Sequence, residues 1–351
     1  MFIPVIMGFG HCGRALHLRC LRTLVAGARG DIISADVHLV DPRPDATAQE
    51  SALPAHLRLP AASSFPPGVP VLHICTPPSE HLNCVREALA LGYRFIILEK
   101  PMAPTLDDAL QIRALARQSH AVILVVAVWL SSPLSRRVAE LASFDESGGC
   151  SEFTIVHNKS RFSRSLARNG EHVFDIEMPH QLSLARALMT DHPKLLAART
   201  HDLVFNGQRK ASMASGVINL ASPGGAIARL VSNLNHPVRE RSITVLLRDG
   251  RRLVGNFPVS GDDSFSQLFE YSTLDVLTRH DIFRDDPLST CLDRCYQYLA
   301  DLSIGGAPPT PPGTALDFNI EVVSLLHDAK HLASASGPQL SRREREAALT
   351  S

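Results

Sequence analysis

A glycine-rich turn near the start of the chain has the residues and spacing of a phosphate-binding loop. Gly8, Gly10 and Gly13 fit the pattern GxGxxG. The turn follows the apolar run Phe2–Met7 and precedes Arg14–Ala28, where apolar residues recur at helical spacing. Between a strand and a helix, such glycines permit a tight turn, a close approach to a pyrophosphate and helix–strand packing. The predicted dinucleotide-binding residues of this turn are Gly8, Gly10, His11, Cys12 and Gly13.

An acidic residue follows the second apolar run, at the position that sets cofactor choice. Asp41 comes directly after Val37–Val40. A carboxylate there accepts hydrogen bonds from ribose hydroxyls and repels a 2′-phosphate, which favours NAD over NADP. Arg43, two residues on, is either a solvated turn residue or a partner for that 2′-phosphate. We therefore predict NAD as the cofactor and leave NADP open as the alternative.

Two further short segments follow strand-like runs. Thr76, Pro77 and His81 come after Val69–Cys75, and Glu99-Lys100-Pro101 comes after Arg94–Leu98. Ligands bind parallel sheets at the carboxyl ends of the strands, where Lys100 would lie. Its amine can exchange a proton with a substrate hydroxyl.

The ordered series strand–TPxxxH–helix–ALxxG–strand–EKP resembles the glucose-fructose oxidoreductase, inositol dehydrogenase and rhizopine-catabolism (Gfo/Idh/MocA) family of sugar and polyol dehydrogenases. The resemblance extends through Gly306–Pro309 into the last helix, so it covers nearly the whole chain. It implies a Rossmann domain followed by a domain whose open sheet helps to form the substrate cleft and often a subunit interface. It also implies that Thr76, Pro77 and His81 line the approach to the nicotinamide ribose. Glu99 and Lys100 would lie beside the nicotinamide, with a cis peptide bond before Pro101.

The resemblance also implies a catalytic histidine early in the second domain, four residues after an aspartate. His180 matches the histidine, but Ile176 occupies the position four residues before it. Asp175 lies five residues before it and Glu177 three. Because residues three apart share a helix face, Glu177 is the better orienting partner, and Asp175 becomes a helix N-cap or a substrate contact. Pro179 disturbs helical geometry, so the choice of acid stays open.

Candidate substrate contacts surround this histidine in the sequence. The segment Lys159–Arg168 is basic, and arginine forks bind phosphate or carboxylate groups, although each residue is equally compatible with a solvated loop. Trp129 is compatible with stacking on a sugar, but a packed aromatic at the domain junction is the favoured interpretation. The predicted substrate contacts are Asp175, Lys159, Arg161 and Trp129.

Composition excludes several classes of protein. Lys+Arg and Asp+Glu both number 35, which argues against a dedicated nucleic-acid binder. The longest apolar run, Ala121–Leu130, has ten residues, against the roughly 18–20 that span a bilayer. The seven scattered cysteines and the absence of a signal-peptide pattern predict a cytoplasmic protein with reduced thiols. No metal site is predicted, because His327 and His331 lack the carboxylate of an HExxH motif.

The elements that must position these residues form two domains. A chain of 351 residues is long enough for two domains of about 150 residues each. Strands alternating with helices over residues 1–128 predict a doubly wound parallel Rossmann sheet. Several strands and an Asp-Gly hairpin signal predict an α+β domain over 129–333 with a large, mostly antiparallel sheet. The resemblance implies that this sheet is open and serves substrate binding and oligomerisation. Packing of the last helix, 315–332, back on the first domain is left open, and 334–351 is a polar tail.

Together these features predict an NAD(P)-dependent dehydrogenase that acts on CH–OH groups. The expected reaction moves a hydride between the nicotinamide and a secondary alcohol or ketone of a sugar, cyclitol or sugar phosphate or derivative. By resemblance, the expected assembly is a homodimer or homotetramer. Two alternatives are a dinucleotide-binding regulator without turnover and a reductase of imines or double bonds. The presence of Lys100 and His180 disfavours both.

Overall fold

The computed structural model describes residues 1–65, 67–143, 148–167, 170–189, 192–260 and 263–335. These residues form two compact units. The first combines Met1–Ser132 with Asp286–Ser324, and the second combines Pro133–Asp285 with the described residues after Ser324. The predicted division therefore differs from the structure at Asp286–Ser324, which return to the first unit. Of the predicted tail, residues 336–351 lie outside the described part of the chain.

The first unit contains a six-stranded sheet in which every neighbouring pair is parallel. Its strands are β1 Phe2–Met7, β2 His38–Val40, β3 Ala55–His56, β4 Val69–Ile74, β5 Phe95–Leu98 and β6 Val122–Val125. Their order is β3-β2-β1-β4-β5-β6, the doubly wound order of a Rossmann fold. The strand order reverses between β1 and β4, so the loops that follow these strands meet where such folds bind ligands.

Helices cover both faces of this sheet. One face packs against His81–Ala90 and Leu106–Gln118, and the other packs against the helix after the glycine-rich turn and against Pro287–Ser303. The helical segments of this unit are Cys12–Leu18 (π-type), Arg19–Leu24, Val25–Arg29 (π-type), Pro44–Thr47, His81–Ala90, Leu106–Gln118, Pro287–Ser303 and the first half of Leu316–Ala335. Short 3₁₀ turns occupy Ala48–Glu50, Ala62–Ser64, Pro78–Glu80 and Val128–Ser131. Trp129 therefore lies in a turn after β6.

Local capping explains where two of these helices begin. Thr105 precedes Leu106–Gln118, and its Oγ1 accepts the backbone N–H of Asp108 at 3.1 Å. Asp286 precedes Pro287–Ser303, and its Oδ1 accepts the backbone N–H of Ser289 at 3.3 Å. Proline at the first helical position has no N–H to leave unsatisfied.

The second unit contains an eight-stranded sheet. In it only the pair β7–β10 is parallel. The strands are β7 Cys150–Ser160, β8 Lys194–Phe205, β9 Gln208–Ala221, β10 Ile227–Asn233, β11 Asn235–Leu247, β12 Arg252–Asn256, β13 Phe265–Tyr271 and β14 Leu277–Arg284. The order β14-β13-β12-β11-β7-β10-β9-β8 confirms the predicted large, mostly antiparallel sheet. The helices are Pro133–Leu141, Phe162–Ala167, Val173–Ile176, Met178–Leu188 and the end of Leu316–Ala335.

Across the described residues, the helices lack the length and apolar character that a membrane crossing requires.

Candidate functional site

The glycine-rich turn is closely packed at two of its glycines and open at the third. Gly8 has a φ of +89°, and a Cβ there would lie 2.8 Å from the backbone N of Thr76. A Cβ on Gly13 would lie 2.4 Å from the carbonyl oxygen of Gly8. A Cβ on Gly10 would meet nothing within 4 Å. The fold itself therefore requires Gly8 and Gly13, whereas Gly10 leaves the open space that a pyrophosphate needs in order to approach the backbone.

Asp41 joins this turn to the end of β2. Its carboxyl group is buried, and Oδ2 accepts the backbone N–H of Phe9 at 2.9 Å. Oδ1 accepts the backbone N–H and the Nε–H of Arg43, both at 3.0 Å, and the Arg43 Nη2 lies 3.0 Å from Oδ2. Burial alone would raise the pKa of Asp41, but the hydrogen bonds from Arg43 and Phe9 outweigh it and lower that pKa. The turn thus presents an ionised carboxylate, with the guanidinium of Arg43 at the surface.

The Glu99-Lys100-Pro101 segment follows β5 at the carboxyl edge of the parallel sheet. The Lys100–Pro101 peptide bond is cis, which confirms the prediction. The Glu99 backbone N–H donates to the carbonyl of Ile74, the last residue of β4, at 3.0 Å. The Glu99 Oε2 accepts the backbone N–H of Lys100 at 3.2 Å. These two bonds fix the backbone at Lys100 relative to β4 and β5.

A chain of buried side chains runs from Glu99 under the glycine-rich turn. Glu99 Oε1 lies 2.8 Å from His17 Nε2, His17 Nδ1 lies 2.9 Å from His73 Nδ1, and His73 Nε2 lies 2.8 Å from the Tyr296 hydroxyl. Burial lowers the pKa of His17, but its hydrogen bonds with Cys12 and Glu99 outweigh burial and raise that pKa to about 10. Burial and the charge of His17 hold the pKa of His73 well below its usual value.

These two pKa directions decide which ring nitrogens donate and which accept in the series from Glu99 to Tyr296. His17 is doubly protonated, so it donates through Nε2 to Glu99 and through Nδ1 to His73. His73 is neutral, accepts at Nδ1 and donates through Nε2 to the Tyr296 oxygen. Burial raises the pKa of Glu99, but its bond to His17 and the charges of His17 and Lys100 outweigh burial and lower it. The ionised Glu99 therefore accepts a hydrogen bond from His17, which is itself hydrogen-bonded to His73 and, through it, to Tyr296.

The resemblance implied that His81 lines the approach to the nicotinamide ribose, but in the structure its ring is bonded to the protein backbone. Its ring is fully buried, with Nδ1 3.2 Å from the carbonyl oxygen of Met102 and Nε2 3.1 Å from that of Thr76. Burial lowers its pKa. The ring thus ties the loop after β4 to the segment after the cis peptide bond. Thr76 is half-buried and Pro77 exposed, so both remain candidates to contact a cofactor.

A separate polar cluster in the second unit surrounds Glu177. This carboxyl group is 5% exposed, and Oε1 accepts a hydrogen bond from Lys159 Nζ. Oε2 lies 3.6 Å from Nδ1 of His157. Burial would raise the pKa of Glu177, but His157 and the charge of Lys159 hold it well below its usual range. The sequence predicted separate roles for Glu177 and Lys159 and none for His157. Because His157 and Lys159 are two residues apart on β7, they lie on the same face of the strand, and this spacing could have indicated that they act together.

His180 lies in the first turn of Met178–Leu188, where its backbone N–H donates to the carbonyl of Glu177 at 3.1 Å. The side chain of Glu177 pairs with Lys159. Asp175 does not cap a helix, because the ring of His172 accepts the Phe174 N–H at the start of Val173–Ile176. Asp175 Oδ1 instead lies 2.6 Å from Lys330 Nζ.

The remaining predicted substrate contacts are held by the protein itself. Arg161 is buried, and its guanidinium pairs with both carboxyl oxygens of Glu171 at 2.8 and 3.2 Å. Trp129 is buried in the first unit. Arg168, the end of the predicted basic segment, lies outside the described residues. Lys100 belongs to the first unit and His180 to the second.

Comparisons with known proteins agree with this architecture. Residues 5–127 match the Gfo/Idh/MocA family, an oxidoreductase family with an NAD-binding Rossmann fold. The chain is similar to KijD10, a 3-ketoreductase from Actinomadura kijaniata crystallised with NADP and TDP-benzene (TM-score 0.74, 15% identity, 95% of this chain and 97% of that one). It is also similar to the UDP-N-acetylglucosamine 3-dehydrogenase GnnA from Acidithiobacillus ferrooxidans (TM-score 0.72, 17% identity, 95% and 98%).

These likenesses to solved structures show a shared fold. No curated protein matches the sequence significantly. The family match covers residues 5–127, the part of the chain that holds most of the parallel sheet, and the matching family is described as an oxidoreductase family with an NAD-binding Rossmann fold.

Proposed function

We propose that the chain transfers a hydride between a nicotinamide cofactor and a secondary alcohol or ketone of a sugar, cyclitol or sugar derivative. The observation that supports this most is Lys100, anchored through Glu99 at the carboxyl end of β5 in an NAD-binding Rossmann sheet. KijD10 is described as a 3-ketoreductase and GnnA as a UDP-N-acetylglucosamine 3-dehydrogenase. This favours a nucleotide-linked sugar as the first substrate class to test.

The cofactor assignments rest on the open turn and on Asp41. The Gly8–Gly13 turn would hold the pyrophosphate, Asp41 the adenosine ribose, and Thr76 with Pro77 the nicotinamide ribose. When bound, the nicotinamide supplies or accepts the hydride. Asp41 favours NAD because its ionised carboxylate repels a 2′-phosphate. Arg43 already pairs with both oxygens of Asp41, so it would have to leave them before it could bind that phosphate.

The side chains of the protein move the substrate proton and position the groups that exchange it. As a substrate hydroxyl is oxidised, its proton passes to the amine of Lys100, and in the reverse direction Lys100 returns it. The resemblance assigns His180 as a second group for this proton. Glu177 is a positioning residue, since it contacts Lys159 and His157 and carries the turn before His180.

The direct test is turnover of the full chain, followed by NAD(P)H fluorescence. The panel is UDP-N-acetylglucosamine, TDP-linked hexoses, free hexoses, hexose phosphates and inositols, each with NAD and NADP. We expect turnover on at least one class, with kcat/KM for NAD at least about tenfold above that for NADP, a difference of about 1.4 kcal/mol. Cofactor binding with no turnover on the whole panel would favour a dinucleotide-binding regulator. Preference for NADP would contradict the role given to Asp41.

Gly10→Ala should weaken cofactor binding without weakening the fold. A Cβ at Gly10 meets no protein atom within 4 Å, and its φ is not positive, so alanine fits the unliganded turn. The same methyl group would occupy the space proposed for the pyrophosphate. We expect the Kd for NAD to rise at least about tenfold and Tm to change by less than about 2 °C. Titration of NADH fluorescence and thermal unfolding measure the two effects.

Gly13→Ala is the matched contrast, because its Cβ would lie 2.4 Å from a backbone oxygen. It should lower Tm as well as weaken binding. Unchanged NAD affinity in Gly10→Ala would contradict the proposal that the pyrophosphate binds at this turn.

We further infer that the eight-stranded sheet takes part in subunit association. Leu196, Val204, Val238 and Ile282 lie on its strands, and each is more than half exposed. The family resemblance implies a subunit interface on this open sheet, and these exposed apolar side chains, which lie on separate strands, are compatible with it. The expected assembly is a homodimer or homotetramer, and a single-chain mass by light scattering would contradict it.

A further inference from the structure

Three side chains beneath the glycine-rich turn form a cluster that the hydride-transfer proposal does not use. Cys12, His17 and Cys75 each offer one ligand atom, and these atoms all lie within 4.8 Å of one another. His17 is buried and the two cysteines are half-buried free thiols. Cys12 and His17 come from the helical segment after the turn, and Cys75 directly follows β4. Two thiols and an imidazole are the ligand types that Zn²⁺ prefers.

Glu99 is not one of the three residues whose ligand atoms all lie within 4.8 Å of one another, but it adjoins the cluster at His17. Its Oε1 lies 2.8 Å from His17 Nε2. Tetrahedral Zn²⁺, with bonds of about 2.0–2.3 Å, holds its ligand atoms about 3.3–3.8 Å apart. An ion entering between these two atoms would therefore part them by only about half an ångström. Glu99 Oε2 can keep the backbone N–H of Lys100 meanwhile.

The surroundings of His17 are those of a metal-binding imidazole. If Nε2 binds the ion, Nδ1 keeps its proton and donates to His73, which lies 2.9 Å away. His73 is fixed in turn by Tyr296. Such outer hydrogen bonds set the tautomer and ring orientation of metal-binding histidines.

We propose that Cys12, Cys75 and His17 bind one Zn²⁺ ion, and that Glu99, which contacts His17, moves in as the fourth ligand when the ion binds. Binding releases to solvent the protons of the two thiols and the Nε2 proton of His17, and no electrons are exchanged. The ion would tie the glycine-rich turn to the ends of β4 and β5. The spacing of these residues in the sequence matches no linear zinc motif.

The experiment measures metal in the full chain, purified under reducing conditions without chelators from zinc-supplemented medium. We expect about one Zn²⁺ per chain by mass spectrometry of the metal, and two sulfur scatterers at the zinc edge by X-ray absorption. Cobalt in place of zinc should give thiolate charge-transfer absorption. Cys12→Ser and Cys75→Ser should each lose most of the metal.

Cys84→Ser is the matched control, because Cys84 is a buried thiol in the same unit that lies outside the cluster. Its Sγ lies 3.5 Å from the Thr76 hydroxyl, so serine keeps a partner, and the variant should retain the metal. If either cluster variant fails to fold, the sulfur count in the wild type still decides.

Three outcomes would overturn the site. One is that the wild type takes up no zinc after dialysis against excess metal, and another is that all three serine variants hold equal zinc. A zinc-free Cys12–Cys75 disulfide, seen as the loss of two hydrogens by mass, would instead make the pair a redox-active dithiol.

Discussion

Replacing Lys100 with methionine is expected to lower kcat by about 10²–10⁴-fold, the range that a positioned acid–base group contributes. Methionine keeps the apolar stem of the side chain and removes the amine that exchanges the substrate proton. The backbone bonds that fix this segment, from Lys100 N–H to Glu99 and from Glu99 N–H to Ile74, do not depend on the amine. We therefore expect NAD affinity to change by less than about threefold, so that the loss appears in kcat.

Two further variants separate charge from proton exchange. Lys100→Arg keeps the positive charge but holds its proton too tightly to exchange it near neutral pH, so it should be nearly as slow as methionine. Lys194→Met removes an exposed lysine in the second unit and should retain full activity. Rates come from NADH fluorescence on the best substrate of the panel, and affinities from cofactor titration. Undiminished turnover in Lys100→Met would remove this lysine from the mechanism.

The first unit was predictable because its signals are local. The alternation of strands with helices and the strand–turn–helix context of the Gly8–Gly13 turn are read along the chain, and the structure confirms the parallel sheet that they predict. Close packing against Gly8 and Gly13 explains the requirement for glycine at both positions. These features need no knowledge of distant contacts.

Elements that return from far along the chain were harder to predict. Pro287–Ser303 packs on the first sheet through Cys291, Cys295 and Tyr296, although more than 150 residues separate it from β6. Its apolar residues do recur at helical spacing, so the helix itself was detectable. Its destination was not, because an amphipathic pattern shows which face is buried but not against what. Strands β13 and β14 were also missed, and six of the eight residues of β14 are exposed.

Side-chain roles depended on contacts that spacing cannot reveal. His81 fitted a cofactor motif by sequence, yet its ring bonds two backbone carbonyls. The network from Glu99 to Tyr296 joins residues almost 200 positions apart. The sequence favoured Glu177 over Asp175 as the partner of His180 but left the choice open, and in the structure the two carboxyl groups have different partners. Asp175 pairs with Lys330, whereas Glu177 is buried beside Lys159 and His157.

Because Glu177 is buried beside Lys159, the substitution Glu177→Gln is expected to have the largest effect on stability. The substitution keeps the shape of the side chain but removes a buried charge that faces Lys159 and His157. Breaking a buried ion pair from one side costs about 3–5 kcal/mol. Because Lys159 is itself partly exposed and can turn toward water, we expect a loss of about 3 kcal/mol in the free energy of unfolding at pH 7. Urea unfolding measures the loss, and hydrogen exchange along β7 locates it in the second unit.

A double variant tests whether the loss comes from the pair. Lys159→Met together with Glu177→Gln leaves no uncompensated charge, so its stability should recover to within about 1 kcal/mol of the wild type. If the double variant is as unstable as Glu177→Gln, the cost arises from the amide in its buried place rather than from the unpaired lysine.

The pH dependence of the same comparison tests the ionisation of Glu177. Its folded pKa lies well below the ordinary value of 4.5, so its contribution is complete above that pH. Below it, the unfolded chain binds the proton first, and the wild type loses stability at about 1.4 kcal/mol per pH unit from this group. Glu177→Gln lacks that slope, so the difference between the two proteins should shrink as the pH falls below 4.5. A difference that stays constant down to acid unfolding would mean that Glu177 is already protonated in the native state.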